Sequence, residues 1–219
     1  MAKLAVDVVL LPSEAMMDQA IALNRRLPGC SDQGMILNKK DCLPHISLAM
    51  GCIAGEAVPL IQTILGKIAQ RFPKLDLTAT AVRAVTSPAG RTVSSIEIER
   101  TAGLQRLHEA VMSKLSPHFS YTVSPEMFFV FLADGVADET ADATADATAN
   151  TTIDKAAISW VENFPAQSSF TRFSPHITAG FGQTDYRLGP MRFRPASLAL
   201  CQLGNFCTCR RILAAADLR

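Results

Sequence analysis

The sequence predicts a globular unit in which strands and helices are interspersed, and three observations lead there. Its 219 residues correspond to one large domain or two closely packed halves at about 150 residues per domain. Hydrophobic residues make up 48% and charged residues 19%, the balance of a chain with a real core. Apolar residues recur with a period of two in some segments and at helical spacing in others, in alternation along the chain. Gly and Pro are ordinary at 12 each, and no apolar run approaches the roughly 18–20 residues of a bilayer span. Collagen-like, coiled-coil and membrane identities are thereby excluded.

Residues 1–12 read as a buried strand. Asp7 breaks the apolar run and Lys3 is its only basic residue, so a signal peptide is the poorer reading. Ser13 is placed to cap a helix whose apolar positions Met16, Ala20, Leu23 and Leu27 recur at helical spacing, with Pro28-Gly29 as its end. A polar loop leads to Pro44, and His45 to Gly51 is short, apolar and strand-like. Ile61, Ile64, Leu65, Ile68 and Phe72 form a helical stripe stopped by Pro73. Leu75 to Val82 and Thr92 to Arg100 follow as strands, the second alternating Ile96 and Ile98 with Glu97 and Glu99. Leu104, Leu107, Val111 and Leu115 mark a further helix, and Phe128 to Leu132 a further strand.

After that strand the composition changes. Residues 137–152 repeat an Ala-Asp-x-Thr phrase with no large apolar side chain, so this stretch cannot offset its ordering entropy by burial. It is expected to be a solvated insertion, taken as 134–152, within one domain spanning 1–219. Helical spacing resumes from Ile153 to Phe164, His176 to Gly182 is again strand-like, and Leu198 to Leu203 with Phe206 to Leu213 reads as a hairpin turning at Gly204-Asn205.

The 21 basic and 20 acidic residues give a net charge of +1, too balanced to announce nucleic acid by bulk electrostatics. That balance conceals an asymmetry. Residues 134–154 hold six acidic and no basic residues, so the remainder carries +7, of which +5 falls within 155–219. A mildly basic body suits a phosphate-bearing substrate. The six cysteines include no C-x-x-C pair and are too sparse for a disulfide framework, which favours reduced thiols in a cytoplasmic protein.

Only four histidines occur, and two sit in near-copies of one phrase: Pro44-His45-Ile46-Ser47-Leu48-Ala49-Met50-Gly51 and Pro175-His176-Ile177-Thr178-Ala179-Gly180-Phe181-Gly182. On a strand, residues i and i+2 share a face, so His45 with Ser47, and His176 with Thr178, each present an imidazole beside a hydroxyl. If the two strands lie side by side about an approximate twofold axis, both pairs converge on one cleft. Such a set suits phosphodiester chemistry. One neutral imidazole takes a proton from the attacking hydroxyl, the other protonates the leaving oxygen, and the hydroxyls hold the non-bridging oxygens, with no metal required. A purely structural His at a strand start and a zinc site are the competing readings; the matched hydroxyls weigh against the first and the want of a third ligand against the second. His108, on an apolar helix face, and His118, in a loop, read as structural. No Gly-x-Ser-x-Gly elbow supports a Ser-His-Asp hydrolase.

The paired His-x-[Ser/Thr] phrases resemble the signature of the two-histidine (2H) phosphoesterase superfamily, in particular its 2′-5′ RNA ligase-like cyclic phosphodiesterase branch. The opening strand ending in Leu11-Pro12, the strand and helix from Val93 to Leu115, and Phe173-Ser174-Pro175 before the second phrase add to the likeness. The resemblance implies an α+β fold of two pseudosymmetric lobes of antiparallel sheet with flanking helices around a cleft. It implies His45 and His176 as catalytic groups and Ser47 and Thr178 as phosphate-binding ones. Family members act on 2′,3′-cyclic phosphates, 2′-5′ linkages in RNA or related cyclic nucleotides. The expectation is therefore a cofactor-independent monomer acting on a nucleotide or RNA end, reversible as ligation, with a non-catalytic nucleotide or RNA-end binding protein as the alternative. Ser47 stands where Thr is commoner, and Ala179-Gly180-Phe181 lacks the basic residue that some RNA-processing members carry there. Lys39 and Lys40 before the first phrase and Arg172 before the second are candidate phosphate contacts. Phe173 and Phe181 are candidates to stack a base, with packing as the competing role.

Overall fold

The computed structural model describes residues 2–28, 35–86, 90–130 and 152–219. The insertion expected at 134–152 lies outside these residues apart from Thr152. The first strand, β1 (Lys3–Leu11), is buried along both faces from Ala5 onward, as a nearly continuous apolar run requires. It is followed by α1 (Glu14–Asn24), β2 (Ile46–Ala54), α2 (Val58–Ala69), β3 (Leu77–Thr86), β4 (Thr92–Ile98) and α3 (Ala102–Leu115). The C-terminal half supplies α4 (Lys155–Gln167), β5 (His176–Phe181), β6 (Met191–Phe193), β7 (Ser197–Leu203) and β8 (Cys209–Ala216).

The strands form two four-stranded antiparallel sheets, ordered β2-β1-β7-β8 and β5-β4-β3-β6. The α+β class is thus the one expected. Each sheet pairs two strands connected through helix and sets the later one at its edge: β1-α1-β2 in the first and, with α4 added before the last strand, β4-α3-α4-β5 in the second. The helices are exchanged in their packing. α1 lies on β5 of the second sheet, and α3 lies on β2 of the first. One hydrophobic cluster runs through both halves.

Several expected details differ. Ser13 occupies the N-cap of α1, but its hydroxyl makes no capping bond; only its carbonyl accepts from Met17 N–H, at 2.9 Å. In the described part of the strand expected at Phe128–Leu132, Phe129 forms a single parallel bridge to Gly204. The 3-10 turn at Pro125–Met127 precedes it, and proline lacks the donor a ladder needs. The C-terminal hairpin turns through Asn205–Cys207 rather than two residues, with Phe206 and Cys207 at positive φ. Three-residue β6 escaped the sequence reading because it is too short to show a period. His45 and His176 do not lie on paired neighbours. β2 and β5 are edge strands of different sheets, packed against one another without sharing a ladder.

Candidate active site

His45 immediately precedes β2 and His176 opens β5, so the two imidazoles stand at corresponding ends of corresponding edge strands. Their local geometry is the same. His45 Nδ1 lies 2.7 Å from the carbonyl of Leu43, and His176 Nδ1 lies 2.8 Å from that of Ser174, in each case two residues back. A carbonyl only accepts, so Nδ1–H donates in both, and Nε2 is left with its lone pair as the reactive nitrogen. Ser47 and Thr178 follow on the same faces, half-buried, while Ile46 and Ile177 between them are fully buried.

Just beyond each hydroxyl the strand bulges. Val8 faces Ala49 and Val9 faces Ser47, leaving Leu48 unmatched; Ser94 faces Gly180 and Ser95 faces Thr178, leaving Ala179 unmatched. A bulge leaves its extra residue outside the ladder. Here a buried polar side chain from the exchanged helix takes up each carbonyl. His108 Nδ1 donates to Leu48 O at 2.8 Å, and Asn24 Nδ2 donates to Ala179 O at 2.7 Å. His108 also accepts at Nε2 from Phe170 N–H, at 2.8 Å, and stacks on Phe173 with ring centroids 4.0 Å apart. Asn24 further donates to Met35 O and accepts from Leu37 N–H. Gly180, next to the second bulge, has φ 145°, and a Cβ there would meet Asn24 Nδ2 at 2.9 Å, so the close approach needs glycine.

Beneath the first half-site lies Asp7, in the middle of β1 and without solvent exposure. Its Oδ2 is 2.6 Å from Ser47 Oγ and 3.8 Å from His45 Nε2, while Oδ1 is buried with no hydrogen-bond partner. Burial pushes the Asp7 carboxyl well above the usual carboxylate range. Burial, aided by the charge of nearby His176, lowers His45 to about 4, so this imidazole is neutral at physiological pH. Cys209 brings its sulfur within 4.8 Å of the Asp7 and His45 donor atoms. Burial raises that thiol too, and Asp7 Oδ2 is engaged by Ser47.

The outer candidates are placed differently from one another. Lys39 is held by Glu14 at 2.6 Å and Asp18 at 2.7 Å, both on α1, so its ammonium braces the loop to the helix. Lys40 is exposed in the same loop. Arg172 is exposed and donates to Ala166 O; with Arg100 it borders a shallow depression next to His176 that also includes Thr80, Glu97 and Ser174. Phe173 and Phe181 are buried and serve packing, the first on His108 and the second edge-on to Phe206. His108 is structural, as expected. Asp7 and Asn24 are the site-building residues that the sequence reading passed over, although a charged residue inside an apolar strand was a visible signal.

The sequence matches no family model and no curated protein. Solved structures do match. TT0787 of Thermus thermophilus aligns with a TM-score of 0.57 at 13% identity, over 99% of this chain and 98% of that one. E. coli LigT, solved in complex with NADP+, aligns with a TM-score of 0.52 at 14% identity, over 100% of this chain and 99% of that one. At such identities the likeness concerns the fold. Two four-stranded antiparallel sheets, each with a His-x-Ser/Thr phrase at one edge strand, and whole-length agreement with TT0787 and LigT show that this chain has the fold of those two proteins.

Proposed function

We propose that this chain is a phosphodiesterase that opens 2′,3′-cyclic phosphates or 2′-5′ linkages of nucleotides or RNA ends by paired-histidine acid–base catalysis, without a metal. The observation that carries this reading is the duplicated half-site: an imidazole oriented through Nδ1–H with Nε2 free, and a hydroxyl two residues on, twice over. A binding protein has no need of two such nitrogens. The nucleotide in the LigT complex supports a nucleotide as the group the cleft receives.

In the proposed reaction, His45 Nε2, neutral at physiological pH, takes a proton from the attacking water as its oxygen bonds to phosphorus. His176, as the imidazolium with Nδ1–H still held by Ser174 O, gives its Nε2 proton to the departing ribose oxygen as the phosphorus–oxygen bond breaks. Ser47 and Thr178 donate to the non-bridging oxygens and keep attack in line. The same sequence with a 5′-hydroxyl in place of water is ligation, and its reverse, with the 3′-hydroxyl attacking and the 5′ oxygen leaving, cleaves a 2′-5′ linkage. The monomer holds both half-sites, and Arg172 and Lys40 are the cations available for the flanking chain.

Product analysis tests this with a panel of 2′,3′-cyclic mononucleotides, 2′-5′ dinucleotides and cyclic-phosphate-ended RNA, with and without EDTA. Chelator-resistant conversion of at least one class is expected, a cyclic phosphate to a phosphomonoester or a 2′-5′ dinucleotide to a nucleoside and a nucleotide that keeps the phosphate. Binding of the panel without any product would instead make the chain a nucleotide-binding protein.

A further inference from the structure

We propose that Asp7 is a positioning residue that works as a neutral carboxylic acid: it donates its proton to Ser47 Oγ, freeing the Ser47 O–H to point at the substrate phosphate while His45 stays unprotonated as the base. This rests on the paired-histidine reading above and adds to it a third layer beneath one half-site.

An aspartate in the centre of a nine-residue strand that is otherwise aliphatic beyond Lys3 is costly to bury, and the Ser47 hydroxyl and the Ala49 backbone, which favour its charged form, are outweighed by that burial. Oδ1 has no hydrogen-bond partner, and Oδ2 has the Ser47 hydroxyl at 2.6 Å. His45 Nε2, at 3.8 Å, is within ion-pair range but beyond hydrogen-bonding distance, so the Ser47 hydroxyl and not the imidazole is the group hydrogen-bonded to Oδ2. Across the neighbouring elements the titratable groups facing Asp7 are His45 from β2, Cys201 opposite it on β7, Cys209 from β8 and Cys207 from the turn before β8. Among these only His45 can carry a positive charge, and its Nδ1 is already committed to Leu43 O. Asp7 and His45 thus hold one proton between them, and the geometry leaves it on the carboxyl. The opposing effects of burial on the two groups run the same way.

The consequence concerns Ser47. If Asp7 were ionised, the Ser47 hydroxyl would spend its one proton on the carboxylate and show only lone pairs to a phosphate, which repels them. With Asp7 protonated, the 2.6 Å bond runs from acid to hydroxyl, and Ser47 becomes a donor in the direction the phosphate needs.

Two measurements on the full chain test this. The first needs no substrate: the 13C carboxyl shift of Asp7 and the 15N shifts of His45, followed from pH 5 to 8, are expected to stay at the values of a neutral acid and a neutral imidazole. The second compares Asp7→Asn and Asp7→Ala by kcat/KM against pH. Asn still donates to Ser47, so D7N is expected to retain activity within about fivefold with its acid limb unmoved, whereas D7A loses about thirtyfold or more. An ionised Asp7 in the NMR titration overturns the proposal. So does an acid limb that moves to lower pH in D7N, because that shift means a carboxylate had been raising His45. If the wild type turns over none of the panel, the functional reading fails while the NMR titration still decides the state of Asp7.

Discussion

The Nε2 lone pairs of His45 and His176 owe their availability to backbone carbonyls at Leu43 and Ser174, which hold each Nδ1–H and so fix the tautomer that the proposed reaction needs. Because burial lowers His45 to about 4, the acid limb of the kcat/KM profile is expected nearer pH 4 than the 6.5 of a free imidazole. The same groups shape stability. His45 and His108 both have lowered values, so the unfolded chain binds protons that the folded one refuses. Their contribution is complete above about pH 6.5 and is lost as pH falls below it, down to about 4 in the case of His45. Asp7, raised by burial, acts oppositely: it lowers stability increasingly as pH rises above the usual carboxylate value. Asp7→Asn is therefore expected to raise the melting temperature at pH 8 and to raise it less at pH 5; an equal shift at both would show that Asp7 has the same protonation folded and unfolded.

At the level of elements, the two bulges lie just beyond the His and hydroxyl residues of the edge strands. Each bulge carbonyl is held by the opposite lobe's helix, Leu48 by His108 of α3 and Ala179 by Asn24 of α1. Truncating either polar group leaves buried backbone partners unsatisfied, and His108 also loses its stack on Phe173. His108→Ala and Asn24→Ala are each expected to cost about 2–4 kcal/mol in urea denaturation. Losses below about 0.5 kcal/mol would show that the bulges stand without these braces. Most of this level was legible in the sequence. The stripes of α2 and α3, the alternation in β4 and the matched phrases at His45 and His176 are period signals, and each produced its element. The bulges, the exchange of α1 and α3 between sheets and the role of Asn24 were not legible, because they depend on which strands become neighbours. Asp7 was visible only as an interruption of an apolar run; its partner Ser47 lies 40 residues away.

For the molecule as a whole, the packing of β2 on β5 brings two short phrases 131 positions apart to facing sheet edges, and the helix between the strands of one pair, α1 or α3, packs on the edge strand of the other. The acidic insertion is outside that arrangement in the sequence reading. Replacing 134–151 with a short Gly-Ser linker is expected to leave melting temperature and turnover nearly unchanged, and a large loss of either would assign it a packed role. The two-histidine account meets its most direct test in single-turnover kinetics of His45→Ala and His176→Ala on the best cyclic or 2′-5′ substrate, in EDTA and with folding verified. Each variant is expected to fall by about a thousandfold or more, in the range lost when a positioned acid or base is removed. Wild-type turnover in either one would contradict the account.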